Sequence, residues 1–186
     1  MTTRPLEDRY GRVATDLRVS LTDRCNLRCS YCMPAEGLDW LPGDEILTDD
    51  EVVRLIEVGV RRLGIREVRF TGGEPLVRRG LVDIVRRTKE IDPTLELSLT
   101  TNALGLARTA HTLKAAGLDR VNVSLDTVRP DTFHTITRRH SSRGGTGRPR
   151  PSTSSTGAGE AARFVRVCAF VASRSCNRWN CQRPSR

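Results

Sequence analysis

The most informative stretch of this chain reads Cys25-Asn26-Leu27-Arg28-Cys29-Ser30-Tyr31-Cys32. Its cysteines have a C-x3-C-x2-C spacing, with an aromatic residue directly before the last one. A 4Fe–4S cluster normally takes four thiolates. Three thiolates on one loop hold three irons and leave the fourth open to another ligand, much as a catalytic zinc site keeps one position free. The spacing therefore predicts a cluster that takes part in chemistry.

Composition favours a protein of a reducing compartment. The chain has 186 residues, room for one domain with a tail, and no apolar run long enough for a membrane span. Its polar, acid-containing N-terminus does not resemble a signal peptide. Three of the six cysteines lie within eight residues, which argues against a secreted disulfide framework. A cytoplasmic location is expected, with a structural zinc site or buried free thiols as the alternative for the cysteine cluster.

The net charge of +9 would ordinarily suggest nucleic acid as a partner. Residues 141–186, however, hold nine arginines and one acid, a net charge of +8. Residues 1–140 hold 22 basic and 21 acidic residues, a net charge of +1. Any binding of nucleic acid is therefore expected only of the tail, residues 141–186. Residues 1–140 are expected to bind no nucleic acid.

Strand-like and helix-like segments alternate over residues 13–139. Strands are predicted at residues 17–22, 67–70, 95–101 and 120–125. The first helix follows a capping box formed by Thr48 and Glu51 and ends at Gly64. Further helices are predicted at residues 81–90, at 106–116 and from Pro130 onward. This order predicts parallel strands with right-handed crossovers.

The predicted strands alternate between apolar and polar residues, whereas strands buried on both faces form continuous apolar runs. The apolar face should pack under the helices, and the polar face should line an occupied space. A partial (β/α) barrel of the TIM-barrel type, interrupted after about four βα units, explains this pattern better than a flat doubly wound sheet. The domain prediction is an incomplete barrel over residues 1–140 and a disordered or non-native tail over 141–186.

The tail departs abruptly from the βα pattern. Residues 141–160 are rich in Ser, Gly, Pro, Thr and Arg and show no periodicity, and only residues 163–172 contain an apolar run compatible with a short strand. A change of reading frame near codon 140 would produce this shift. The hypothesis requires that another frame of the gene continue the βα pattern. Without later strands, the strand near Ser124 is expected to be an unpaired edge, which favours aggregation.

Several motifs resemble those of one enzyme family. The cysteine pattern with Tyr31 resembles the signature of radical S-adenosylmethionine (SAM) enzymes, and its flanking residues are similar to those of GTP 3′,8-cyclases. The stretches that show this resemblance are Thr22-Asp23-Arg24-Cys25-Asn26, Tyr31-Cys32-Met33-Pro34, Val68-Arg69-Phe70-Thr71-Gly72-Gly73-Glu74-Pro75-Leu76, Leu99-Thr100-Thr101-Asn102 and Asn122-Val123-Ser124-Leu125-Asp126. The resemblance covers residues 13–139.

The resemblance implies a lyase of molybdenum cofactor (molybdopterin) biosynthesis. Such enzymes convert GTP to (8S)-3′,8-cyclo-7,8-dihydroguanosine 5′-triphosphate by reductive cleavage of SAM at a 4Fe–4S cluster. The cofactors that it implies are one 4Fe–4S cluster, held by three cysteines, and SAM, bound to the open iron of that cluster. It implies as partners GTP, an electron donor of the flavodoxin or ferredoxin type, and the downstream cyclic pyranopterin monophosphate synthase, with no membrane association.

The resemblance also implies roles for individual residues. The cluster ligands are Cys25, Cys29 and Cys32, and no other catalytic residue is assigned. The SAM-binding residues are Tyr31, Gly73 and Ser124. The GTP-binding residues are Arg18, Arg69 and Thr100, and an arginine fork suits phosphate because it donates two aligned hydrogen bonds.

The tail departs from the family pattern. The family has a second cluster, with a C-x2-C pair and a distant third cysteine, whereas Cys168, Cys176 and Cys181 have a C-x7-C-x4-C spacing. A second cluster is therefore not expected here. A truncated chain of this kind is expected to be marginally stable and to have impaired or no cyclase activity. The alternatives are another radical SAM enzyme with a different auxiliary cluster, and a non-catalytic metal- or RNA-binding protein.

Overall fold

A computed structural model describes residues 5–139 and, for the backbone alone, residues 165–169. Seven strands are present in this part of the chain: β1 Leu6–Glu7, β2 Val13–Ala14, β3 Asp16–Ser20, β4 Glu67–Thr71, β5 Glu96–Thr101, β6 Arg120–Leu125 and β7 Val165–Ala169. Four α-helices accompany them: α1 Asp49–Leu63, α2 Leu81–Ile91, α3 Leu106–Ala115 and α4 Pro130–Thr137. The predicted elements of the core are confirmed within one or two residues. No helix among the described residues has the length and apolarity to cross a membrane.

Helix α1 begins and ends where the sequence predicts. The Thr48 hydroxyl accepts from the Glu51 amide at 3.2 Å, and the Glu51 carboxylate accepts from the Thr48 amide at 2.8 Å, which completes the capping box. Gly64 ends the helix in the left-handed conformation with φ +76°, which glycine adopts without a steric penalty. The helix is thereby fixed at both ends by local sequence.

Strands β3 to β7 form one sheet in the order β3-β4-β5-β6-β7, with every neighbouring pair parallel. The order follows the chain, so each connection advances by one strand, as in a (β/α) barrel. All carboxyl ends of the strands consequently lie at one edge of the sheet. Strands β1 and β2 form a separate antiparallel hairpin that the sequence pattern did not predict, because each strand has only two exposed residues.

The alternation of strand residues separates the two faces of the sheet as predicted. The apolar set packs under the helices, and its central members are completely buried, with Val68, Phe70, Leu97, Leu99 and Val121 at 0% exposure. The helices contribute the other half of this core through α1, α2 and α3. The polar residues occupy the opposite face, where Arg18 is exposed, Arg69 and Thr100 are half-buried, and Ser98 and Asn122 are buried.

Strand β7 corrects the expectation that the strand near Ser124 is an unpaired edge. Residues 165–169 run parallel to β6, with Val121 opposite Val165 and Ser124 opposite Cys168. The apolar run of the tail therefore provides a fifth strand. Its extended backbone pairs with the N–H and C=O groups that the edge of β6 would otherwise leave unpaired. The remainder of the predicted disordered tail, with Cys176 and Cys181, lies outside the described residues.

Candidate functional site

Four loops meet at the carboxyl edge of the sheet. The loop with the three cysteines follows β3, the Gly72-Gly73 turn follows β4, Asn102 follows β5, and Asp126 follows β6. Active sites of (β/α) barrels lie at this edge because each connection delivers a loop there. We call residues 22–33 the cluster loop.

The backbone of the cluster loop is organised by its own hydrogen bonds. The amides of Cys32 and Met33 both donate to the Cys29 carbonyl, at 2.9 and 3.1 Å, which closes a tight turn between the second and third cysteines. The Leu27 amide donates to Cys25 Sγ at 3.4 Å. Backbone N–H groups directed at a sulfur are a typical feature of Fe–S sites and tune the cluster.

The end of helix α4 fastens the cluster loop from outside. The Arg28 amide donates to the Thr137 carbonyl at 3.0 Å, and the Ser30 amide donates to the Ile136 carbonyl at 2.9 Å. Arg138 donates to the Met33 carbonyl at 3.1 Å. The loop is therefore held by residues more than one hundred positions later in the chain.

The three thiols are free, with Cys25 and Cys29 half-buried and Cys32 exposed. Burial raises the pKa of Cys29, and the negative charges of Asp126 and of the neighbouring thiolates add to this, although a hydrogen bond with Tyr31 acts in the opposite direction. A cation among the thiols would relieve that repulsion, because metal binding favours the deprotonated form.

The chemistry of the three thiols bears on which metal group they can hold. Among residues 5–139, no group of three His, Cys, Asp or Glu side chains is arranged to hold a single metal ion. In a 4Fe–4S cluster each thiolate binds a different iron. The three-thiol donor set fits such a cluster.

The Gly72-Gly73 turn packs directly against the start of the cluster loop. The Gly73 amide donates to the Thr22 carbonyl at 2.7 Å. A Cβ atom on Gly72 would lie 2.5 Å from the Thr22 carbonyl oxygen, and one on Gly73 would overlap the carbonyls of Asp23 and Arg24. Glycine is required at both positions, since only a residue without Cβ permits this approach. Gly73 itself remains exposed on its other side.

Glu74 is a buried carboxylate that joins two of the loops. It is 1% exposed and accepts three hydrogen bonds: from the Leu76 amide at 3.0 Å, the Thr101 hydroxyl at 2.6 Å and the Asn102 amide at 2.8 Å. Its own amide donates to the Arg24 carbonyl at 2.8 Å. One residue thus ties the glycine turn to the end of β5 and to the cluster loop.

Replacing Glu74 with alanine should lower the free energy of unfolding by about 3 kcal/mol, because three donors lose their acceptor and each unsatisfied buried group costs roughly 1–3 kcal/mol. Denaturant titration of the full chain measures this. Glu57→Ala removes a half-exposed ion pair with Arg61 on α1; it is the control and should stay within about 0.5 kcal/mol of wild type. A Glu74→Ala variant as stable as this control would contradict the structural role.

Tyr31 connects the cluster loop to the end of β6. Its hydroxyl donates to Asp126 Oδ2 at 2.8 Å, two residues beyond Ser124. Desolvation of the hydroxyl, the hydrogen bond to Asp126 and the nearby Cys29 thiolate raise the pKa of Tyr31, so the phenol stays protonated at neutral pH. Tyr31 is 58% exposed and Ser124 is also exposed, so both are accessible to a ligand.

The predicted GTP-binding residues lie on the polar face of the sheet. Arg18 and Arg69 are register partners on β3 and β4, and Thr100 lies half-buried on β5 opposite Asn122. Burial by itself would raise the pKa of Glu67, but the hydrogen bond from Arg69 and the charges of Arg120 and Arg69 hold it below the ordinary value. Arg69 is therefore already paired with Glu67 at 2.9 Å, and Arg18 lies opposite it in register on the same face.

The structure adds residues to which the sequence analysis gave no role. Glu74 and Asn102 were recognised only as parts of motifs, yet they connect three of the four loops. Arg120 joins the polar face through Glu67 at 2.7 Å and Glu96 at 2.8 Å. Polar parity along β5 and β6 was the available signal for Asn102 and Arg120, whereas Glu74 lies outside the strands and its contacts depend on which strands are neighbours.

Comparison with known proteins places the cluster loop within a larger match. The model of the radical SAM superfamily matches residues 19–145. The chain is 71% identical over 134 residues to a GTP 3′,8-cyclase of Streptomyces coelicolor, a match that covers 72% of this chain and 39% of the relative. It is 64% identical over 135 residues to a GTP 3′,8-cyclase of Mycolicibacterium smegmatis, covering 73% of this chain and 37% of the relative. The matched part thus spans less than two fifths of these curated relatives.

A solved structure with a similar fold is the crystal structure of BtrN in complex with AdoMet and 2-DOIA. The two folds superpose with a TM-score of 0.53 at 15% sequence identity, over 84% of this chain and 57% of the other. At this identity the likeness concerns the fold alone. It agrees with the parallel βα order of β3 to β7.

Proposed function

Because this chain belongs to the radical SAM superfamily, we propose that it contains the cluster- and SAM-binding part of a GTP 3′,8-cyclase. The observation that carries the proposal is the set of three free thiols on a loop packed against the Gly72-Gly73 turn. The cofactors of the superfamily, a 4Fe–4S cluster and SAM, fit this arrangement. When bound and reduced, the cluster would supply the electron that cleaves SAM and starts radical chemistry.

In the proposed site, Cys25, Cys29 and Cys32 hold the cluster. The exposed side of Gly73 offers backbone to the amino group of SAM, and the absence of a Cβ lets the glycine turn pack against the carbonyls of Asp23 and Arg24. Tyr31 and Ser124 line the same edge of the sheet and contact the remainder of SAM. These assignments use residues that the fold brings to one edge.

The substrate proposal rests on the polar face of the sheet. Arg18 and Arg69 lie side by side on β3 and β4, and they would bind the phosphates of GTP. Thr100 on β5 would donate or accept a hydrogen bond deeper in the same space. The likeness to GTP 3′,8-cyclases supports GTP as the nucleotide. A flavodoxin- or ferredoxin-type donor and a downstream cyclic pyranopterin monophosphate synthase are proposed as partners, and the cytoplasm as the location.

Anaerobic reconstitution of the 186-residue chain with iron, sulfide, reductant and SAM tests the proposal. We expect about four irons per chain and formation of 5′-deoxyadenosine from SAM. Cyclised product from GTP should be scarce, because the chain matches under two fifths of the relatives' length. Cys25→Ala/Cys29→Ala/Cys32→Ala is the matched control and should form neither cluster nor 5′-deoxyadenosine.

The other outcomes point to different functions. Iron well above four per chain would favour a radical SAM enzyme with an auxiliary cluster in the tail. Absence of iron together with salt-sensitive RNA binding, lost when residues 141–186 are deleted, would favour a non-catalytic RNA-binding protein. Efficient conversion of GTP by this chain alone would contradict the expected impairment.

A further inference from the structure

Asn102 stands where three loops of the site meet. Its side-chain amide nitrogen donates to Asn26 Oδ1 at 2.7 Å and lies 4.0 Å from Cys25 Sγ. Both partners belong to the cluster loop, more than seventy positions earlier in the chain. Asn102 therefore brings a side chain from the end of β5 close to a predicted cluster ligand.

The orientation of the Asn102 amide is fixed from three sides. The Leu104 amide donates to Oδ1 at 2.9 Å, which leaves Nδ2 to face Asn26 and Cys25. The backbone amide of Asn102 donates to the buried carboxylate of Glu74 at 2.8 Å. Because the side-chain oxygen and the backbone of Asn102 are both hydrogen-bonded, its side chain is already ordered. Directing Nδ2 toward Cys25 Sγ therefore costs little further conformational entropy.

We propose that Asn102 is a positioning residue for Cys25 and that its amide raises the reduction potential of the cluster bound there. This inference rests on the proposed function, since it concerns the cluster that the function requires. Hydrogen bonds to the sulfurs are one of the levers by which a protein sets the potential of an Fe–S cluster. A donor beside a thiolate stabilises the reduced form more, because that form carries the additional negative charge.

The position of Asn102 also bears on retention of the cluster. Residues that orient a ligand from outside the ligand shell typically change metal affinity by roughly 10- to 100-fold when replaced. Asn102 orients Cys25 through Asn26 and is itself oriented by Glu74. Loss of the amide should therefore loosen the first cluster ligand and leave the turn between Cys29 and Cys32 intact.

The test compares Asn102→Asp with wild type after anaerobic reconstitution of the full chain. Aspartate has the same shape, cannot donate, and places a negative charge beside Cys25. The midpoint potential, followed by the EPR signal of the reduced cluster, should become more negative. Iron loss to a chelator should be roughly tenfold faster. The potential is a property of the loaded molecules only, so partial unfolding does not change it.

Asn122→Asp is the control for added charge. It makes the same substitution on β6, one strand away on the polar face, at a position that is buried whereas Asn102 is half-buried. Among the described residues no side-chain hydrogen bond joins Asn122 to the cluster loop. Asn102→Ala removes the donor without adding charge and should shift the potential in the same direction by a smaller amount. If the midpoint potential shifted as much in Asn122→Asp as in Asn102→Asp, the shift would come from added negative charge anywhere on this face. That result would overturn the inference.

The remaining outcomes separate this inference from the proposed function. If wild type loads a cluster and cleaves SAM but both Asn102 variants match it in potential and iron retention, Asn102 has no positioning role and the proposed function stands. If wild type binds no cluster, the proposed function and the inference fail together. A lower potential and faster iron loss confined to the Asn102 variants would support both.

Discussion

Replacing Cys29 with serine should abolish the 4Fe–4S cluster, with bound iron falling from about four per chain to near zero. Cys29 is the middle ligand, and its carbonyl accepts the two hydrogen bonds that shape the turn to Cys32. Two remaining thiolates on the loop cannot hold three irons, and a serine hydroxyl is a hard, weakly acidic ligand where iron–sulfur chemistry requires a thiolate. Iron and sulfide analysis with the visible absorption spectrum measures the loss.

The tail provides the matched control for this prediction. A variant with Cys168→Ser, Cys176→Ser and Cys181→Ser removes as many thiols as the loop contains but leaves the cluster loop unchanged. It should retain about four irons. If the tail variant lost its iron and Cys29→Ser kept it, the cluster would belong to the tail and the proposed site would be wrong.

Burial raises the pKa of the Cys29 thiol, which gives this site a dependence on pH. The thiol of the cluster-free chain must lose its proton before it binds iron, and metal binding releases that proton. At a fixed concentration of iron and sulfide, cluster formation should therefore become faster as the pH rises toward the pKa of Cys29.

Replacing Gly73 with alanine should eliminate SAM binding and also destabilise the chain. A Cβ at this position overlaps the carbonyls of Asp23 and Arg24, which are backbone atoms and cannot rotate away. The start of the cluster loop would have to retreat by about 1 Å to reach ordinary contact distances near 3.5 Å. Strain of this kind typically costs about 1–3 kcal/mol. It would also move Cys25, which follows Arg24 directly.

Gly43→Ala tests whether the effect is specific to the turn. A Cβ on Gly43 meets nothing within 4 Å, so this substitution should leave SAM binding and stability unchanged. Equilibrium binding of SAM to the reconstituted chain and denaturant titration measure the two effects. Unchanged SAM affinity in Gly73→Ala would refute the close packing of the glycine turn against the cluster loop.

Local sequence determined most of the elements in the core of this protein. The capping box of Thr48 and Glu51, the left-handed Gly64 and the apolar-polar alternation each act over a few residues, and each is found as predicted. The three cysteines are likewise readable in sequence, because a loop of eight residues brings its own ligands together. The exposed hairpin of β1 and β2 was missed because strands of two residues give no periodic signal.

The pairing of β7 with β6 illustrates a limit of local patterns. Residues 163–172 are recognisable as an apolar run, but a short extended segment can pair with any open strand edge. Only the assembled sheet shows that β6 offers a free edge at this place and that Ser124 stands opposite Cys168. The expectation of an unpaired edge was wrong for this reason.

The way the site is held together depends on contacts that form only in the folded protein. Glu74 accepts from Thr101 at the end of β5, Asn102 donates to Asn26, and the end of α4 binds the cluster loop across more than a hundred residues. Sequence shows that these side chains are polar and lie near strand ends. It does not show their partners, because a hydrogen bond requires two groups within about 3 Å, and that distance is set by the packing of parallel strands and the loops between them.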